Sequence, residues 1–229
     1  MEARQVIEFD HVRFAYAGTD VFALDVPSLV VAPGERVALI GPSGSGKSTM
    51  LLLAGGVLLA TSGSVRLAGH DLARETAAFR REMRLRRVGM VFQEFELLEY
   101  LTVRDNITLA ARLDASIDGL ALAAEAERLA AAAGIARLLD RKPAALSQGE
   151  RQRVAACRAL ATRPVALLCD EPTGNLDPVN ADIVTAMLLE HARAHRAALL
   201  MSTHRHDSLG AFDRVVDIAD LRARTEASR

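Results

Sequence analysis

Gly41-Pro42-Ser43-Gly44-Ser45-Gly46-Lys47-Ser48-Thr49 follows the apolar run Val37-Ala38-Leu39-Ile40 and leads into Met50-Leu51-Leu52-Leu53-Ala54-Gly55-Gly56, and few folds accept such a segment. The flanking runs read as a buried strand and a helix. Gly41, Gly44 and Gly46 open backbone conformations closed to other residues, so successive N–H groups turn toward one centre. The helix that follows adds the positive end of its dipole. Lys47 has the reach for the β and γ phosphates of a nucleotide held there, and the Ser48 hydroxyl suits Mg2+. Strand, loop and helix together predict a nucleoside triphosphate site within an α/β domain.

Of 28 basic residues only Lys47 and Lys142 are lysine. A chain that otherwise uses arginine keeps lysine where a compact charge on a flexible stem is needed, and a planar guanidinium fits a phosphate cradle poorly. Elsewhere the composition is ordinary. A length of 229 residues suits one large domain, taken as 1–229, and 50% hydrophobic with 25% charged residues matches a globular chain. A net charge of -1 gives no pull toward nucleic acid or acidic lipid. The apolar stretch 51–60 is far shorter than the roughly 20 residues of a membrane helix, and the first residues, Met1-Glu2-Ala3-Arg4-Gln5, lack a signal-peptide pattern. Cys157 and Cys169 lie inside apolar runs, as buried free thiols of a reducing compartment do.

Strand signals at 36–40, 88–92, 165–169 and 197–202 alternate with helical patterns, which predicts a mostly parallel sheet. The first 35 residues, alternating in Val6-Ile7-Glu8-Phe9 and turning at Gly18 and Pro33-Gly34, predict antiparallel strands. From about 103 to 161 the signals are helical, among them the alanine-rich segment 115–133 ended by Gly134. This predicts a helical subdomain, approximately 94–163, inserted into the sheet domain.

Asp170 and Glu171 end the buried run Val165-Ala166-Leu167-Leu168-Cys169, where two carboxylates are costly unless used. Successive strand residues point opposite ways, so the two differ in role. Asp170 is assigned to Mg2+ through its water shell, and Glu171 to the water that attacks the γ phosphate. Gln93 and His204 also stand at strand ends. Ligands of open α/β sheets gather at the carboxyl ends of strands, so Gly41, Gln93, Asp170 and His204 are expected to share one crevice.

Leu146-Ser147-Gln148-Gly149-Glu150 opens a helix just ahead of Asp170-Glu171-Pro172, and with this combination the chain resembles the nucleotide-binding domains of ABC ATPases over nearly its whole length. The resemblance implies the ABC ATPase fold: a P-loop NTPase core with a mostly parallel sheet, an N-terminal antiparallel β part and an inserted helical subdomain. It implies that ATP stacks on Tyr16, that Gln93 senses Mg2+ and a membrane partner, and that His204 contacts the γ phosphate. Ser48, Gln93 and Asp170 form the implied metal set. The signature residues Ser147, Gln148, Gly149 and Glu150 are expected to close over ATP held by a second subunit, with Asp177 coupling the two sites. One loop and one signature per chain imply a head-to-tail dimer, a homodimer or a paired ATPase subunit.

The wording Asp170-Glu171-Pro172-Thr173-Gly174-Asn175-Leu176-Asp177 and the short length resemble the lipoprotein-release and macrolide-efflux branch, implying an integral membrane permease as partner and a place on the cytoplasmic face of the membrane. The alternative is a cell-division ATPase that regulates a cell-wall enzyme without transport. Three features depart from the family pattern: Gln148 replaces the central glycine of the signature, Glu99 replaces a proline common in this branch, and 215–221 lacks a closing glycine turn.

The basic run 79–87 reads as the solvated face of a helix rather than a nucleic-acid patch. His191 and His195, four apart, read as an exposed polar face without a third metal ligand. Glu94, Glu96 and Glu99 are the candidates for contact with a basic loop of the membrane partner. A DNA-acting ATPase would need sustained heptads, which are absent, and a small-molecule kinase would leave the signature unexplained.

Overall fold

Alternation decides how the chain begins. The computed structural model describes residues 5–18 and 24–221, so part of the antiparallel reading of the first 35 residues, at 19–23, lies outside the described residues. Strand β1 (Ile7–Phe14) buries Ile7, Phe9, Val12 and Phe14. A strict period of two cannot turn both Phe9 and Val12 inward. The register with β4 (Ser62–Leu67) shifts between Asp10 and Arg13, and His11 takes a φ of 48°, a bulge that resets the alternation. β1 also pairs antiparallel with β2 (Leu24–Val31), and β4 with β5 (His70–Asp71), giving the order β2-β1-β4-β5.

The second sheet is parallel throughout, in the order β6-β7-β8-β3-β9. Its strands are β3 (Arg36–Ile40), β6 (Val88–Val91), β7 (Ala166–Asp170), β8 (Ala198–Ser202) and β9 (Arg214–Asp217). The predicted strands are present with ends moved by a residue, and β9 is added at the edge. In the central strands, alternate residues supply two cores. Leu167, Cys169, Leu199 and Met201 face one, while Ala166, Leu168, Ala198 and Leu200 face the other. The second of these cores also holds the inward residues of β1 and the helix α1 (Lys47–Ala54), which therefore lies between the two sheets.

Helix α2 (Ala77–Arg87) starts at Thr76, whose hydroxyl accepts from Phe79 N–H, and buries only Met83, as a solvated helix does. Between β6 and β7 the chain forms α3 (Val103–Ile107), α4 (Leu109–Leu113), α5 (Gly119–Ala132) and α6 (Gln148–Ala161), and α7 (Pro178–His195) joins β7 to β8. Helix α5 starts later than the alanine content from 115 suggests. Asp114 takes the N–H and hydroxyl of Ser116 in a turn, and the Asp118 carboxylate caps Leu120 and Ala121. The tail closes without glycine, because Asp217 accepts from Ala219 N–H at 2.8 Å.

The histidine pair is not the exposed face expected of it. His191 is buried on α7, its ring 4.4 Å from that of the exposed His195, and α6 packs against this helix. Both cysteines are buried free thiols, and burial pushes the Cys157 thiol up to about 12. No helix among the described residues is long and apolar enough to cross a membrane.

Candidate active site

Parallel pairing sets the carboxyl ends of β6, β7, β8 and β3 along one edge, and each end delivers a polar residue or loop. From β3 comes the phosphate loop. Gly41, Gly44 and Gly46 take φ values of 146°, 74° and 102°, conformations that L side chains resist. A Cβ on Gly41 would lie 3.0 Å from Ser45 Oγ. The buried Lys47 donates from Nζ to the carbonyls of Gly41 and Pro42 at 2.9 and 3.1 Å, which draws its ammonium back across the loop. No side chain caps the start of α1 at Gly46, so the first N–H groups are left for an anion.

Tyr16 follows β1 and is tethered to this unit. Its hydroxyl lies 2.9 Å from Thr49 Oγ1, and its ring meets Phe14 edge-on at 4.8 Å. With 46% of its surface exposed, the ring offers a face to a planar ligand beside the loop.

The acidic pair is organised across strands rather than along one. Register sets Asp170 opposite Ser202, and the wholly buried Ser202 hydroxyl donates to Asp170 Oδ1 at 2.7 Å and accepts from Glu171 N–H at 2.9 Å. The strand ends at Asp170, and Glu171 turns off with a φ of 44°. The divergence expected from strand alternation thus comes from a left-handed residue held by Ser202. Glu171 Oε1 lies 2.7 Å from His204 Nε2. Gln93 completes the group: its Nε2 and Glu171 Oε2 each lie 3.6 Å from where a Cβ on Gly174 would stand. Glu171, His204, Gln93 and Asp170 are therefore brought together beside the phosphate loop, while Thr203 N–H, donating to Leu39 carbonyl at 3.1 Å, ties the end of β8 to that of β3.

The hydroxyl of Ser48 and the carboxylate of Asp170 are hard oxygen donors of the kind Mg2+ takes, and the Gln93 amide adds a third. The residues present fit that ion.

The signature residues open α6. Ser147 is the N-cap, in a reciprocal box with Glu150: Ser147 N–H donates to Glu150 Oε2 at 2.9 Å and Glu150 N–H to Ser147 Oγ at 3.3 Å. The Ser147 backbone bond, first among the causes, holds the Glu150 carboxyl below its ordinary range. Gln148 is exposed and Gly149 buried. Asp177 caps α7, accepting from Asn180 N–H at 3.1 Å. After Gln93, Glu94 and Glu96 are exposed and Glu99 stands 3.9 Å from Arg151.

The sequence model of the family described as ABC transporter matches residues 24–174. The chain belongs to the ABC transporter family. It is 41% identical over 218 residues to the lipoprotein-releasing system ATP-binding protein LolD of Maricaulis maris, covering 94% of each chain. It is 38% identical over 221 residues to LolD of Xanthomonas oryzae pv. oryzae, covering 95% of this chain and 89% of that protein. Among solved structures, a dimeric post-hydrolysis state of the ATP-binding cassette MJ0796 bound to ADP and Pi superposes with a TM-score of 0.84 at 29% identity, covering 92% of this chain and 93% of that one. The fold is that of an ABC ATPase, and ATP is the nucleotide the family binds.

Three further residues of this ABC ATPase shape the site and escaped the sequence reading: Ser202, Gln152 and Arg158. Gln152, buried on α6, donates from Nε2 to the carbonyls of Phe92 and Pro172 at 3.1 and 2.6 Å, the neighbours of Gln93 and Glu171. Arg158 holds the carbonyls of Phe95 and Glu96 at 3.2 and 2.6 Å.

Proposed function

We propose that this ABC ATPase, seated on the inner face of the membrane, hydrolyses ATP at sites shared between two copies, and that the cycle drives an integral membrane permease to extract lipoprotein. The Glu171–His204 contact at the strand edge carries the catalytic part. Lys47, the loop N–H groups and the start of α1 bind the phosphates, and Tyr16 takes the adenine. Ser48, Asp170 and Gln93 would hold Mg2+, which when bound offsets phosphate charge. Glu171 orients and polarises the attacking water, and His204, bonded to the same carboxylate, fixes its direction and contacts the γ phosphate. Ser147, Gln148 and Gly149 reach a partner's nucleotide, with Glu150 shaping their turn and Asp177 joining the two sites.

The permease part rests on the LolD relatives and on a groove of about 140 Å3. Leu85, Met90, Ile107 and Leu113 line it, with Arg84 and Arg158 beside them. Through Arg158, that groove is joined to the segment after Gln93. Likeness to LolD favours extraction over the cell-division alternative. Glu171→Gln is expected to cut hydrolysis by about a hundredfold or more while ATP binding persists. The same variant, held with Mg-ATP in solubilised native membranes, should co-purify a permease with a large extracytoplasmic domain, and Glu94→Lys with Glu96→Lys should weaken its recovery. Near-normal turnover would overturn the role of Glu171, and capture of a partner bound to wall hydrolases would move the function to regulation.

A further inference from the structure

The first turns of α6 and α7 meet at one side chain. A Cβ built on Gly149 would lie 2.6 Å from Asn180 Cγ, 2.7 Å from Oδ1 and 2.9 Å from Nδ2. Such distances are closer than carbon tolerates, so Asn180 reaches the signature turn because position 149 is glycine. Asn180 Oδ1 accepts from Arg153 Nη1, further along α6. Its Nδ2 donates to Asp177 Oδ2 at 2.5 Å. Arg153 can only donate and ionised Asp177 can only accept, so the two neighbours fix which way the amide faces. Donation by the Asn180 side chain, first among the causes, also holds the Asp177 carboxyl below its ordinary range.

Starting α7 does not require this arrangement. The cap bond from Asn180 N–H to Asp177 already does that, and Pro178 presets the first helical turn. The side-chain bonds run sideways instead, from the Asp177 carboxylate to the helix that presents Ser147 and Gly149. On the paired-site reading above, we infer that Asn180 is a positioning residue that yokes the signature turn to Asp177, so that both segments approach a second copy's nucleotide as one body. Without it each segment still forms, since each keeps its own cap, but their spacing is no longer set.

Asn180→Asp keeps the volume and the acceptor for Arg153 but sets a second carboxylate against Asp177. Asn180→Ala removes both bonds without adding charge and covers the case in which Asn180→Asp fails to fold. In the Glu171→Gln chain, sedimentation with ATP should show dimerisation weakened about tenfold or more by either change, because the two segments must then be ordered on association. Binding of a fluorescent ATP analogue to the single chain should stay within about twofold, because the phosphate loop is untouched, and the fold should still melt cooperatively at a somewhat lower temperature, because each helix keeps its own cap. Dimerisation equal to the parent's in both variants would overturn the inference. So would a matching loss of single-chain nucleotide binding, the mark of a general structural role. A parent that stays monomeric with ATP would overturn the paired-site reading itself and the inference with it.

Discussion

Ser202 shows how much one buried hydroxyl organises. It donates to Asp170 and accepts from the N–H of Glu171, so it sets the two carboxylates at once. Ser202→Ala leaves both partners short of a bond in a dry position, at a cost of about 1–3 kcal/mol. The expected kinetic result is a lower kcat with KM for ATP little changed, since the phosphate loop keeps its own contacts. Steady-state ATPase assays and thermal melts together check this. At this scale the sequence was most legible where residue type and chemistry coincide: glycines that turn a loop, a lysine in a chain that otherwise uses arginine, paired acids at a strand end. Ser202 carries no such mark. Its part becomes visible only when β7 and β8 are paired in register and Asp170 comes opposite it.

Helix α6 is the element that touches several pieces of the site by hydrogen bonds. Its first turn carries the signature, Gln152 holds the backbone beside Gln93 and Glu171, and Arg158 holds the segment that follows Gln93. Gln152→Leu removes two donated bonds to carbonyls from a buried position. The expected outcome is a loss of about 2 kcal/mol in stability. Stimulation of ATPase activity by the proposed membrane partner should fall further than basal turnover, a comparison made with and without that partner. The start of α6 was readable because Leu146-Ser147-Gln148-Gly149-Glu150 opens a helical run, whereas the start of α5 was not. Alanine content marks a helix without marking its end, and the position was decided by Asp118 accepting two backbone N–H groups.

For the molecule as a whole, the parallel order of the strands was legible from alternating buried runs, and so was the common edge on which the site stands. The edge strand β9 was not, because Arg214-Val215-Val216-Asp217 is short and half exposed, and its place beside β3 is a long-range choice. The acid response is also a property of the packed whole. Burial foremost, with His195 next, lowers the His191 imidazole to about 4, while Glu125 opposes the shift and Arg128 and Arg163 add to it. Between the ordinary value of 6.5 and about 4 the unfolded chain therefore binds the proton that the folded chain refuses. Stability from this residue is complete above that window and lost as pH falls through it, by at most about 2 kcal/mol between pH 7 and 5. Melting temperatures across that range should fall by several degrees less in His191→Gln than in the parent.

Glu171 sits at a φ of 44°, where a residue with a Cβ is strained by roughly 1 kcal/mol or more and glycine is not. The position assigned to the attacking water is thus one at which the Cβ that carries the carboxylate is itself the source of strain. Stability and the chemistry proposed for Glu171 thus pull in opposite directions at this residue.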